Sequence, residues 1–286
     1  MEISQGVIFG LLAMIGFGMN SALSRVPAQK IGALKTMFYR GVGATSLLFI
    51  LLVFVFPEGV TLRGILVAVA VAIFAYFPMM LFYKGMHYGK VGVITPIANS
   101  SALITTLLAV IFLGERLNAW QWTSGLSVVA GVILISLNFR DLKNSQLTKL
   151  TSGVPFALAA CIGWGVTFFL FKFPVSLVGP IMTSFIVEVV MLLMCAVQMW
   201  QAKETFALPG GFGKYIISMA IFSFIATLAY NYGIKSTAVS IVIMLYMANP
   251  LVAMIYANLA YKERLSVQQY ISVGLIVMGL AGIAVW

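Results

Sequence analysis

The sequence predicts an all-α polytopic membrane protein of ten transmembrane helices, arranged as two inverted five-helix repeats, and three observations predict it. Of 286 residues, 62% are hydrophobic and only 8% charged, against roughly 25% charged in an ordinary soluble domain. Spread over a soluble globule, these side chains would expose larger apolar patches than a monomer tolerates, so most of this surface must face lipid. The apolar residues fall into ten runs near the ~20 residues that a spanning helix needs. The two halves of the chain also align with each other.

The spans follow the charged and Gly/Pro punctuation. The first, 4–24, stops at Arg25, and the second, 34–56, stops at Pro57-Glu58-Gly59. The third, 63–85, runs from Arg63 to the basic segment around Lys84, and the fourth, 91–113, ends at Gly114-Glu115-Arg116. The fifth, 119–138, gives way to the one long polar connection, Arg140-Asp141-Leu142-Lys143-Asn144-Ser145-Gln146, at mid-chain. Beyond it lie 152–172, 179–200 after Gly179-Pro180, 212–234 ahead of Lys235, 239–260 and 267–286. The domains are therefore a first repeat over 1–140, a linker over 141–150 and a second repeat over 151–286.

A self-comparison supports that boundary. Residues 6–25 lie over 153–172 with identities at Gly6/Gly153, Val7/Val154, Phe9/Phe156, Leu11/Leu158, Ala13/Ala160, Ile15/Ile162, Gly16/Gly163, Gly18/Gly165 and Leu23/Leu170, and Arg25 over Lys172 keeps the charge. One place further out of register, Glu115-Arg116-Leu117 lies over Glu263-Arg264-Leu265, Gln121 over Gln269, Ser124 over Ser272 and Gly131 over Gly279. Apolar composition alone would not align polar and glycine positions. An odd number of helices per repeat makes the second copy enter the membrane from the opposite side. Inverted repeats are the architecture of alternating-access carriers, because each half can adopt the conformation of the other.

Other classes recede. The net charge of +10 is spread singly over short loops, which suits anionic lipid head groups better than nucleic acid. Cys161 and Cys195 sit in apolar runs without metal-ligand spacing and read as small buried hydrophobes. No basic stretch precedes the first apolar run, so it is expected to be kept as a span. There is no nucleotide-binding loop, and one His with seven acids offers no nucleophile–base pair or metal cluster. An enzyme and a cofactor are therefore not expected. Counting Lys and Arg places twelve (Arg25, Lys30, Lys35, Lys84, Lys90, Arg140, Lys143, Lys149, Lys203, Lys214, Lys262, Arg264) on the side of the linker and four (Arg63, Arg116, Lys172, Lys235) opposite. The positive-inside rule then puts the linker in the cytoplasm and both termini outside.

The Gly-aromatic-Gly of each repeat's first helix (Gly16-Phe17-Gly18 and Gly163-Trp164-Gly165), the Glu-Arg-Leu after each fourth helix and Asn249-Pro250 in the ninth span resemble the EamA-type branch of the drug/metabolite transporter superfamily. Two departures stand out. Phe17 takes a place where the family usually has Trp. Ala102 stands opposite Pro250, with Pro96 earlier in the helix, so the two fourth helices are expected to kink at different positions. The resemblance implies a solute path between helices 1, 3 and 4 and their partners 6, 8 and 9, with 5 and 10 peripheral. It also implies termini in the cytoplasm, against the charge count.

Candidate lining residues follow. Ionisable groups inside spans are costly and by default functional, which singles out Arg40 and Glu188 on the equivalent second helices. At 1.5 Å per residue they lie about 9 Å and about 14 Å from opposite ends, so they can meet as a pair, or Glu188 can exchange protons. The alternative is that Arg40 snorkels to the interface. Thr95, Asn99 and Ser101 in the fourth span, and Tyr246 and Asn249 in the ninth, form polar stripes that serve either a solute or helix–helix contacts. Phe17, Trp164, Tyr76, Tyr83 and Tyr230 form an aromatic set that suits an apolar or cationic solute or, alternatively, an aromatic girdle and lipid-facing packing, and Asn20 is a further lining candidate. Glu115 and Glu263, each beside an Arg, read as local charge caps at their own helix ends. The expected partners are a small-molecule solute and the lipid bilayer, with monomer or oligomer left open, in the plasma membrane of a prokaryote. Export of an amino acid or related metabolite is the first reading; multidrug or organic-cation efflux and lipid handling are the alternatives.

Overall fold

A computed structural model describes residues 2–88, 94, 97–136, 153–207, 210–261 and 266–285, less the side chains of residues 2–4, 83, 86, 87, 135, 136, 261, 284 and 285. The described residues form helices and no strands. The first repeat contains α1 (Glu2–Ile31), α2 (Ala33–Phe54), α3 (Leu62–Tyr88), α4 (Ser101–Phe112) and α5 (Ala119–Ser136). The second contains α6 (Val154–Leu170), α7 (Lys172–Gln201), α8 (Gly213–Ser236), α9 (Val239–Tyr246), α10 (Asn249–Tyr261) and α11 (Val267–Val285). Six of the helical stretches are long and apolar enough to cross a membrane, and the rest are shorter apolar helices. Bulky apolar side chains cover the outside, among them Phe54 at 80%, Trp200 at 74% and Leu259 at 74% exposure. With no water to satisfy such a surface, the chain is an integral multi-pass membrane protein.

The helices that the sequence ends at charges run further than expected. α1 continues past Arg25 and Pro27 and stops only at Gly32, whose φ of +88° is closed to residues with a Cβ. The equivalent glycine of the second repeat, Gly179, has φ +78° and breaks α7 into a short leading segment and a long span that starts at Pro180. Under the shift that lays 25 over 172, 32 lies over 179. Each repeat therefore makes the same corner between its first two helices.

The two fourth helices are also broken, and at equivalent places. In the first repeat the Ser100 N–H donates to Ile97 O (3.2 Å) and the Leu103 N–H to Ser100 O (3.1 Å). In the second the Ala248 N–H donates to Leu245 O (3.2 Å) and the Leu251 N–H to Ala248 O (3.0 Å). This corrects the expectation of different kink positions. Tight three-residue turns set both breaks, and Pro250 falls just past its break, where Ala102 can follow the same path.

Equivalent helices run antiparallel. Along α2 and α7, Lys35 pairs with Glu204 (3.4 Å) and Phe49 meets Phe185 (centroids 6.3 Å apart). Along α5 and α11, positions near Gly131 meet Ser272 and Ile276, while Gly279 meets Ser124 and Val128. The α5–α11 pair stands to one side, as the resemblance implied. α9 fills the centre, with Val239, Ser240, Val242, Ile243 and Leu245 all at 0% exposure.

The Gly-aromatic-Gly frames do the close packing. A Cβ on Gly16 would lie 2.7 Å from Ala226 Cβ on α8, and one on Gly163 would lie 2.8 Å from Pro78 Cβ on α3. A Cβ on Gly18 would lie 2.6 Å from Asn249 O, and one on Gly165 would lie 3.1 Å from Ser101 O. Each first helix thus touches the third and fourth helices of the other repeat, with the aromatic between its glycines turned elsewhere.

Candidate functional site

A cavity of about 500 Å³ lies between the repeats. It runs from the ends of α1 and α2, where Ser24, Ala28 and Ala33 line it, to a floor of Phe168, Phe171, Tyr230 and Tyr246. The exposed Ser21 sits on its wall. The mouth is at the end that carries Lys30 and Lys35. The floor is one continuous ring cluster: Tyr230 contacts Phe168 (5.4 Å) and Tyr246 (5.7 Å), and Phe17 meets Tyr246 edge-on at 4.9 Å. The Tyr230 hydroxyl donates to Phe168 O (3.1 Å), so the phenol is fixed rather than free to point into the space.

The second helix of each repeat supplies the charge. Arg40 Nη1 lies 3.2 Å from Glu188 Oε1, with the side chains 15% and 6% exposed. The same carboxylate oxygen accepts from Ser223 Oγ (3.3 Å) and Thr227 Oγ1 (3.2 Å), and Arg40 also donates to Ser223. One turn on, Asn231 Nδ2 donates to Ser184 Oγ (2.8 Å). Ser223, Thr227 and Asn231 recur every fourth residue on α8 and face Ser184 and Glu188 one turn apart on α7, as helix geometry requires. Helix 2 and helix 7 belong to this site, which the expected path left out.

Three acceptors on this wall carry no partner: Asn20 Oδ1, Glu188 Oε2 and Asn231 Oδ1 are buried without a hydrogen bond. Buried polar atoms are otherwise almost always paired. The three residues all line the cavity, so unpaired acceptors lie just behind its surface, beside an aromatic wall. Trp164 completes that wall, tilted against Phe82 with centroids 5.0 Å apart.

Of the residues expected from the sequence, Phe17, Asn20, Arg40, Trp164, Glu188, Tyr230 and Tyr246 are brought together here. Four others are placed elsewhere. Tyr76 on α3 reaches α7, donating to Gln198 and, at 3.4 Å, to Met194 O. Asn249 Nδ2 donates to Tyr246 O (3.1 Å) at the break between α9 and α10. Ser101 is fully buried where α4 meets α6, and its neighbour Thr105 donates to Gly165 O (2.9 Å). Asn99 is half-buried just ahead of that break. The Tyr83 side chain and Thr95 lie outside the described residues, as does Glu263. Ser223, Thr227 and Asn231 were not anticipated, although their four-residue spacing on an otherwise apolar span is a legible signal.

The model of the EamA-like transporter family matches residues 4–137 and again residues 151–285. A solved crystal structure, described only as that of a protein, superposes with a TM-score of 0.78 over 97% of this chain and 94% of its own, at 15% sequence identity. That likeness speaks to the fold. Comparison with curated proteins finds no match.

Proposed function

The chain belongs to the EamA-like transporter family, and from that premise we propose that it is a secondary transporter that carries a small ammonium-bearing metabolite, an amino acid or related compound, by alternating access. One observation carries the reading: a cavity of ligand size holds the Arg40–Glu188 pair beside three unpartnered buried acceptors and an aromatic wall. An ammonium group brings N–H donors to match Asn20 Oδ1, Glu188 Oε2 and Asn231 Oδ1. A carboxylate can take the Arg40 guanidinium, whose planar fork suits it, and an apolar body can stack on Trp164, Phe168 and Phe17. A zwitterion also leaves the buried ion pair neutral overall, which avoids placing net charge in a low-dielectric space.

The two-repeat architecture supports a ten-crossing, inverted arrangement, since equivalent helices run antiparallel and the shorter apolar helices α4 and α6 have equivalents in the other repeat that are long enough to span. The mouth lies on the side with the Lys and Arg excess, which the positive-inside rule makes cytoplasmic. Loading from that side suits export, across what the resemblance suggests is a prokaryotic plasma membrane. Efflux of organic cations is the second reading, favoured by the aromatic wall around Glu188.

Thermal stabilisation of the purified protein by amino acids, by amines lacking a carboxylate and by sugar phosphates tests this, because a ligand that binds only the folded state raises Tm. Amino acids should stabilise the protein, and Glu188→Gln should abolish the shift while Glu58→Gln keeps it. Equal shifts from carboxylate-free amines would favour the cation reading. Stabilisation by sugar phosphates alone would sink both.

A further inference from the structure

The cavity is closed at the end away from its mouth, and what closes it reaches between the repeats. Glu115 follows α4 through Gly114, whose φ of +67° turns the chain out of the helix. Its carboxylate does not stay at its own helix end beside Arg116, as the sequence suggested. Glu115 Oε1 accepts the Val239 N–H (2.7 Å), and Oε2 accepts the Ser240 N–H (3.0 Å) and the Ser240 hydroxyl. These are the first N–H groups of α9, the positive end of a helix dipole, where a carboxylate is most favourable.

On the other side of the same turn, Lys172 Nζ donates to Ile234 O (2.5 Å), one of the last carbonyls of α8. The α8–α9 turn, Thr237-Ala238, is therefore gripped by opposite charges on its two ends: a carboxylate on the N-terminus that follows and an ammonium on the C-terminus that precedes. Glu115 belongs to the first repeat, and the turn belongs to the second. Directly inside it lie Tyr230, Phe168, Phe171 and Tyr246, the floor of the cavity. α9 is buried from Val239 to Leu245 and carries Tyr246 at its end, so a displacement of its N-terminus is transmitted to the floor.

We propose that Glu115 is a positioning residue for transport, a latch between the repeats that holds the far gate shut while the cavity is open at the Lys30 end. Opening the far side requires α9 to leave the Glu115 carboxylate, exchanging three charge-assisted hydrogen bonds for water. The latch sets the balance between the two access states and touches no solute. It rests on the alternating-access reading above, but its test reads access instead of solute movement, so the two fail separately.

The experiment is thiol accessibility in oriented membrane vesicles, right-side-out and inverted, using Phe171→Cys as the probe in a background with Cys161→Ala and Cys195→Ala. The reagent is a membrane-impermeant methanethiosulfonate. With Glu115 intact, the probe should react chiefly from the Lys30 side. With Glu115→Ala, the rate from the opposite side should rise about tenfold, the scale expected for losing hydrogen bonds to a charged group, while the rate from the Lys30 side falls. Ser240→Ala removes one of the carboxylate's donors and should shift both rates the same way by less; it carries the test if Glu115→Ala does not fold. Glu115→Asp should restore part of the original asymmetry. An unchanged far-side rate in both variants overturns the proposal, and so does an equal rise from both sides, which would mean general loosening.

Discussion

Arg40 and Glu188 are 148 positions apart in sequence and 3.2 Å apart in space, and through them the second helix of one repeat is bonded to the second helix of the other. The pair faces a cavity instead of sealing a core. Its worth to folding is therefore modest, but breaking it leaves a charge without its counterion. Arg40→Ala or Glu188→Ala alone should cost about 3 kcal/mol, the lower end for an orphaned buried charge. Replacing both, as Arg40→Met with Glu188→Leu, should recover most of that loss. Reversible unfolding in mixed micelles measures all three, and additive losses would contradict the pairing.

Gly165 is the tightest contact of the second Gly-aromatic-Gly frame, with Ile104 Cβ 2.5 Å and Ser101 O 3.1 Å from where a Cβ would be. Gly165→Ala should destabilise by about 1–3 kcal/mol, as overpacking does. Gly274 on α11 has nothing within 4 Å, so Gly274→Ala should be neutral or stabilise by up to about 1 kcal/mol through helix propensity. Equal responses at the two sites in the same unfolding assay would remove the packing argument.

Gly179 makes a different prediction, because the space around it is empty and only its backbone matters. At φ +78° and ψ 168° it occupies a region essentially reserved for glycine. Gly179→Ala should cost about 1–3 kcal/mol, and Gly32→Ala, at φ +88° and ψ 152°, should cost a similar amount. If either substitution is silent in thermal unfolding, the corner between the first two helices does not depend on that conformation.

Trp164 tests the aromatic wall. Trp164→Ala should weaken binding of a cationic or aromatic solute about tenfold, between the values for an exposed and a desolvated cation–π contact, and should leave Arg40–Glu188 in place. Titration of tryptophan-independent signals, such as solute-induced Tm, keeps the readout separate from the residue removed.

Much of this was legible in the sequence, because helix period and repeat register are local or self-referential signals. The depth of Arg40 and Glu188 in antiparallel helices sufficed to suggest that they meet. Pro250 and Pro96 point to different kinks in the two fourth helices, whereas three-residue turns at Ser100 and Ala248 set the geometry of both. Glu115 departs from its sequence expectation for a related reason. Its neighbour Arg116 offers a local partner, while its actual partners, the N–H groups of Val239 and Ser240, carry no side-chain signature and lie in the other repeat. The serine, threonine and asparagine spaced along α8 are legible in the sequence as a four-residue polar period, a weaker signal than a charge inside a span.

The most direct test is solute movement in proteoliposomes. Reconstituted protein preloaded with unlabelled amino acid should accumulate the labelled one by counterflow. Glu188→Gln should lose that activity, and Glu58→Gln, at an exposed position between α2 and α3, should retain it. Counterflow that persists in Glu188→Gln at the full rate would place the solute somewhere other than the Arg40–Glu188 cavity and contradict the account.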